Sequence, residues 1–200
     1  MIRRAVKADF PTLRMFVNLH HSYIPWRDRP SRKLYWLLYE DQELVGVWGL
    51  MSACWGPTCV KSFMKNRGIE YNQMANNSMY CLSEHRDRNA GTKFLKLLRR
   101  DAVLWWAERY GDSLKALQTF ILPPKTGAIY KADNWIMLGK TTGSYDSFKT
   151  VPKGEVESYK ERGLKVREWI AKGENGLPYT KYVVNTQIKT EPKLIFSRVL

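Results

Sequence analysis

Residues 79–109 constrain this chain more than any other stretch. The segment MYCLSE at 79–84 reads as a buried strand, and after a polar turn a long helix is expected over about 91–109. Leu95, Leu98, Ala102, Trp105 and Trp106 recur at helical spacing and make one apolar face, and Gly111 stops the helix. A strand that feeds a helix of this kind buries both apolar surfaces by stacking the helix on a sheet, which is an α/β layer arrangement.

The flanking sequence extends that layer. Residues 2–7 read as a short strand. A helix over roughly 10–21 is opened by Asp9 as N-cap with Pro11 in its first turn, and Leu13, Phe16, Val17 and His20 share one face. Residues 22–32 hold two prolines and several charges and form a loop. KLYWLLY at 33–39 and ELVGVWGLM at 43–51 form a hairpin across Glu40, Asp41 and Gln42. Residues 52–78 are less regular, with a short helix near 58–66. A strand at 114–122 ends at Pro123 and Pro124, a short helix covers 125–133, and Trp135–Thr141 is a further strand. The last fifty residues differ: 154–172 reads as a highly charged helix, 173–178 as a break, and 179–197 as strand-like pieces. The expected fold is α/β, a mixed central sheet with helices on both faces. It occupies residues 1–145, with a basic C-terminal extension at 146–200 packed on or beside it.

Charge bears on partners. The 200 residues carry 33 Lys and Arg against 19 Asp and Glu, a net of +14 spread over all four quarters of the chain. Such a surface attracts polyanions, nucleic acid first among them, and a generically basic soluble protein is the plainer alternative. With 44% of its residues hydrophobic the chain can build a core, which excludes global disorder. Three cysteines, Cys54, Cys59 and Cys81, do not make a disulfide framework, and the spacing of the first two is poor for zinc, so no metal is expected. No leader-like segment and no 18-residue apolar run is present, so a reduced, cytoplasmic protein is expected.

The turn between strand and helix reads Leu82-Ser83-Glu84-His85-Arg86-Asp87-Arg88-Asn89-Ala90-Gly91-Thr92-Lys93. The opening turn of a helix has unpaired N–H groups and the positive end of the helix dipole, which together suit a diphosphate. Gly91 permits close approach, and Arg88 and Lys93 add full charges. The alternative is an ordinary loop in which Asn89 or Thr92 caps the helix.

In these segments the chain resembles the GNAT (Gcn5-related N-acetyltransferase) superfamily. That family carries Gln/Arg-x-x-Gly-x-Gly/Ala at this turn, and Arg88-Asn89-Ala90-Gly91 matches it, with Lys93 standing where Gly or Ala is usual. Ala5-Val6-Lys7-Ala8-Asp9 with Leu13 is similar to the family's opening strand and helix. Gly127-Ala128-Ile129-Tyr130-Lys131-Ala132-Asp133-Asn134-Trp135 looks like its late segment, with Asn134-Trp135 in place of Gly-Phe. The resemblance covers about residues 2–143. It implies an acyl-CoA such as acetyl-CoA as donor, held by Leu82, Arg88, Asn89, Ala90, Gly91, Thr92 and Lys93, and Tyr130 as general acid.

Acyl transfer to an amine needs a base as well. Glu84, just past the strand, is the first candidate, with a surface carboxylate paired to Arg86 or Arg88 as the alternative. His20 and His21 end the first helix, and His21 has a pKa suited to proton transfer, although a histidine at a helix C-terminus has a plain electrostatic reason too. Asp133 lies about one turn from Tyr130 and would face the same side. Core or capping roles for both are the alternative.

Basic and aromatic residues interleave at Tyr23, Trp26, Arg27, Arg29, Arg32 and Lys33, a pattern suited to phosphates and stacked bases. Lys61–Arg67 is a second basic stretch, and Lys160, Arg162, Lys165 and Arg167 a third. His20-His21-Ser22-Tyr23 and Leu138-Gly139-Lys140-Thr141-Thr142-Gly143 are similar to short patterns in phage-encoded DNA-modification proteins of the Mom type. That resemblance implies a transferase acting on a base, or on an amine already placed on a base, in phage DNA inside the host cytoplasm. Two alternatives stand beside it: an N-acetyltransferase for a protein or small-molecule amine, and a non-enzymatic nucleic-acid-binding module of the same fold.

Overall fold

The computed structural model describes residues 1–21, 31–172 and 177–200. Two compact units emerge, Met1–Thr141 with Lys193–Leu200, and Thr142–Pro192.

The first unit is built on the apolar hairpin. Strands β2 (Lys33–Glu40) and β3 (Glu43–Ser52) pair antiparallel, and Trp36, Leu37, Leu38, Val47 and Trp48 are all fully buried. Consecutive buried residues mean that both faces of the strands are covered, and the period-two rule sorts them. Trp36, Leu38 and Trp48 meet Leu95, Leu98 and Trp106 of the helix α3 (Ala90–Tyr110) on one face. On the other, Tyr35, Leu37 and Val47 meet Leu13, Phe16 and Val17 of α1 (Phe10–His20). The helix α2 (Thr58–Lys65) packs Val60, Phe63 and Met64 on Met74, Ala116 and Ile195.

Seven strands form the sheet: β1 (Ile2–Arg4), β2, β3, β4 (Met74–Leu82), β5 (Ala116–Ile121), β10 (Leu194–Val199) and β6 (Ile136–Lys140), in that spatial order. All neighbours are antiparallel except β4 and β5. The short helix α4 (Ala128–Ala132) follows β5. This is the expected α/β sheet with helices on both faces, and α1, α2, α3 and α4 match the expected positions within a few residues.

Two expectations for the C-terminal region are corrected. Residues 146–200 are not one extension: β10, buried at Ile195, Phe196 and Ser197, inserts between β5 and β6 of the main sheet. Nor is 154–172 one helix. Helix α5 is limited to Val156–Glu161, Gly163 follows at φ +74, and β8 (Val166–Lys172) begins beyond it. Strands β7 (Ser144–Val151), β9 (Pro178–Lys189) and β8 make an antiparallel sheet in the order β7-β9-β8 around Val151, Val156 and Val184. The Lys- and Glu-rich composition favoured a helix, but cross-strand pairing with β9 decided the outcome. Lys160, Arg162, Lys165 and Arg167 therefore do not line one helix face.

A polar cluster ties β1, β2 and α3 together. Arg4 makes a bidentate bridge to Asp101 at 2.9 Å, and Trp36 Nε1 donates to Asp101 Oδ2 at 2.7 Å. Arg4 also sits 5.4 Å from the Trp105 ring centre. Burial raises the Asp101 pKa, but the hydrogen bonds from Arg4 and Trp36 outweigh it, and the net shift is downward.

Candidate active site

A parting of two strands shapes the site. Strands β4 and β5 run parallel from Met74–Ala116 to Asn77–Thr119, where their ladder stops, yet β4 continues to Leu82 and β5 to Ile121. The cause lies on the other side of β4. Pairing with β3 skips from Gly49–Met79 to Leu50–Asn77, so Ser78 is bulged out, and its hydroxyl donates to the Gly49 carbonyl at 3.2 Å. A bulge bends and twists its strand, and here it separates β4 from β5 just beyond Asn77.

The parting opens a cavity of about 390 Å³. Its walls are β4 from Asn77 to Leu82, β5 from Thr119 to Ile121, the segment Lys125–Tyr130, Arg86, and the pair His20–His21 at the end of α1. Tyr130 is 6% exposed, its ring held between Trp135 and Phe196 at 5.0 and 6.3 Å. Asn77 Nδ2 donates to the Tyr130 hydroxyl oxygen at 2.8 Å, a bond that does not use the Tyr130 proton. Asn77 Oδ1 is buried and has no hydrogen-bond partner among the described residues. A buried acceptor left without a donor is costly, so it favours a ligand N–H at that point.

His20 packs on Phe16 with ring centres 4.4 Å apart. His21 beside it has its pKa lowered, first by burial and then by the positive charge of Lys125. It is therefore neutral at pH 7, as a proton acceptor must be. The Cys81 thiol is pushed up to about 11 by burial and is no nucleophile near neutral pH. Burial also raises the Tyr80 phenol well above its ordinary value, and its hydroxyl donates to the Gly91 carbonyl.

Other expected site residues lie elsewhere. Glu84 is exposed in the turn and does not line the cavity. Asp133 does not face Tyr130 as a catalytic partner: Arg99 holds one carboxylate oxygen at 2.8 Å and Trp135 Nε1 the other at 2.9 Å. Helix α4 ends at Ala132, so the one-turn rule that paired Asp133 with Tyr130 does not extend to it. Arg198 donates to the Asp133 carbonyl as well, making this residue a tie between α3, α4 and β10.

At the turn, Asn89 is left-handed at φ 69 and its side chain makes no cap bond; the Thr92 hydroxyl instead donates to the Asn89 carbonyl at 3.0 Å. The first intrahelical bond is Lys93 N–H to Asn89, so the amides of Gly91 and Thr92 precede it. Arg88 and Lys93 are exposed, while Ala90 and Gly91 are buried. Gly91 is small for a reason other than ligand approach: a Cβ there would stand 2.3 Å from Ile129 Cδ1. It lets α4 pack against α3.

The aromatic–basic stretch falls mostly on residues 22–30, so Tyr23, Trp26, Arg27 and Arg29 lie outside the described residues. Arg32 does not present a free charge: it is ion-paired with Asp112 and sits over the Tyr110 ring at 5.2 Å. The Lys33 backbone exchanges hydrogen bonds with the Tyr110 hydroxyl. Sequence reasoning missed Asn77, Lys125 and the Ser78 bulge. Among the described residues no group of three or more His, Cys, Asp or Glu could hold a metal, and no helix is long and apolar enough to cross a membrane.

No protein-family model and no curated protein matches this sequence. Solved structures do match. An acetyltransferase from Bacillus subtilis in complex with CoA is similar over 100% of this chain and 97% of that one, at a TM-score of 0.53 and 11% identity. A GNAT family acetyltransferase from Elizabethkingia anophelis with acetyl-CoA bound gives 0.50 and 12%, over 100% and 97% of the two chains. The aminoglycoside 6'-acetyltransferase type Ii gives 0.50 and 12%, over 100% and 96%. The fold is that of the GNAT acetyltransferases. With the GNAT fold comes the point at which to read the cavity, because the parted strands β4 and β5, the turn before α3 and Tyr130 all belong to the fold's shared frame.

Proposed function

We propose that this chain is an N-acyltransferase that takes an acyl group from an acyl-CoA, acetyl-CoA in the simplest case, and passes it to an amine. The observation that carries this reading is the cavity between β4 and β5, walled by a neutral His21 and by Tyr130 with an orphaned Asn77 acceptor. Two features fit the donor. The strands part without a ladder between their facing edges, which leaves backbone groups for an amide-rich chain, and the amides of Gly91 and Thr92 at the start of α3 suit a diphosphate. Leu82, Arg88, Asn89, Thr92 and Lys93 would hold it, while Ala90 and Gly91 support the turn from below.

An acyl-CoA there supplies an acyl group activated as a thioester, whose C–S bond breaks as the C–N bond forms. His21 takes the proton that the amine must lose, and Tyr130 is the proton donor on the cavity wall. Asn77 holds the Tyr130 hydroxyl in place through the 2.8 Å bond. Neither Glu84 nor Asp133 has a part in this scheme.

A second reading narrows the acceptor to a base, or an amine on a base, in phage DNA. Its support is the net charge of +14 and the Mom-type patterns that include His20-His21 and Leu138–Gly143. An amine on a protein or small molecule needs no such charge. One experiment separates the readings: thiol release from acetyl-CoA is followed with free amines, peptides and single-stranded DNA in parallel, and nucleosides from the DNA are analysed by mass spectrometry. Release with amines or peptides and unchanged nucleosides supports the general acyltransferase. A mass gain on a nucleoside supports the DNA reading. No release with any acceptor, together with DNA binding that weakens steeply with salt, would leave only a binding module.

A further inference from the structure

The cavity carries charge of one sign only. Arg86 and Lys125 line it, and among the described residues no Asp or Glu does. Glu84 is exposed in the turn, and the Asp133 carboxylate is taken up by Arg99 and Trp135. A site built for a polycationic acceptor needs carboxylates near the reacting amine, since an ammonium held beside a lysine is repelled. Lys125 is near enough to His21 and to Cys81 to depress both of their pKa values. Its charge therefore acts on the part of the cavity where the proton acceptor stands, not at the turn before α3. Arg86 is partly engaged, donating to the Ser83 carbonyl. At the floor of the same cavity, Asn77 Oδ1 is a buried acceptor with no partner among the described residues, suited to an amine N–H.

We infer that the acceptor carries an oxyanion, phosphate or carboxylate, close to its amine, with the amine seated at Asn77 and His21 and the oxyanion at Lys125. The inference rests on the acyltransferase reading and specifies its acceptor class. Lys125 is a specificity-determining residue in this account. It favours the anion-bearing amine over its neutral and cationic analogues, and it keeps His21 neutral at the pH at which the amine must be deprotonated.

The test is a matched series of small amines assayed by thiol release from acetyl-CoA and by product mass: 2-aminoethyl phosphate, β-alanine, propylamine and 1,3-diaminopropane. The first two should exceed propylamine in kcat/KM by about tenfold, and diaminopropane should fall below it. A larger gain with 2-aminoethyl phosphate than with β-alanine identifies phosphate as the preferred oxyanion, and the reverse identifies carboxylate. Lys125→Ala should collapse the ranking, and Lys125→Glu should invert it in favour of diaminopropane, which a merely structural role would not do. Transfer to all four amines without preference, or preference for diaminopropane in the unaltered protein, overturns the inference and leaves the acyltransferase standing. A rise in KM for acetyl-CoA alone, with the acceptor ranking intact in both variants, also overturns it by assigning Lys125 to the donor. No thiol release with any amine brings down the acyltransferase reading itself, and the inference with it.

Discussion

Two polar clusters are set into the same seven-stranded sheet, and they are finished differently. Around Asp101 every strong group has a partner: both carboxylate oxygens receive Arg4, one also receives Trp36, and Arg4 reaches Glu108 at 2.7 Å. Around Asn77 the bonding is incomplete. Its amide nitrogen serves Tyr130, while its carbonyl oxygen is buried with no donor among the described residues. A satisfied buried cluster rigidifies a fold, whereas an unsatisfied one carries a cost that a ligand can relieve. The difference teaches which cluster holds the sheet together and which waits for chemistry.

Variants at the two clusters should therefore fail in different assays. Tyr130→Phe keeps the ring between Trp135 and Phe196 but removes the hydroxyl. It should cut kcat by about 10²- to 10⁴-fold while the unfolding midpoint in urea barely moves. A large loss of stability with activity retained would place Tyr130 with the structural cluster.

Asp101→Ala should do the opposite. It leaves Arg4 and the Trp36 indole without their acceptor and should cost about 2–3 kcal/mol in urea unfolding, with the turnover of the folded protein unchanged. The Asp101 pKa is depressed in the folded state, so its contribution is present above the unfolded value and is lost as pH falls through the folded one. Asp101→Asn should flatten that part of the stability profile in acid.

Gly91→Ala tests the frame between the clusters. The added methyl meets Ile129 and, at 3.2 Å, Leu82, and should destabilise by about 1–3 kcal/mol. Pairing it with Ile129→Val should recover part of the loss, and no recovery would move the conflict elsewhere. The smallest effect is a shift of a pH profile. Lys125→Gln removes a charge that lowers the His21 pKa, so the acid limb of kcat/KM should move to higher pH. An unmoved limb would remove His21 from the role of base.

The sheet was largely legible from apolar runs. The alternation of Trp36 and Leu38 with Tyr35 and Leu37 calls for a helix layer on each face, and Leu95, Leu98 and Trp106 mark α3. The cavity was not legible, because it depends on a bulge. MANNSMYCL begins with two asparagines and a serine of low strand propensity, so β4 reads as starting five residues late, which hides Asn77 and Ser78. Tyr130 and His21 were visible as residue types suited to proton transfer. Asp133 looked equally suitable, and only the positions of Arg99 and Trp135, distant in sequence or beyond the helix end, show where its carboxylate goes. The place of β10 between β5 and β6 was hidden for the same reason, since an apolar run does not name its partner strand.

The central claim is that the space between the parted strands is where the donor binds and the acyl group moves. Amide hydrogen exchange with and without acetyl-CoA tests it most directly. The account predicts slower exchange on binding in peptides covering Asn77–Leu82, Gly91–Lys93 and Thr119–Tyr130, with Thr142–Pro192 unchanged. Binding that leaves those peptides untouched, or protects only the second unit, would contradict it.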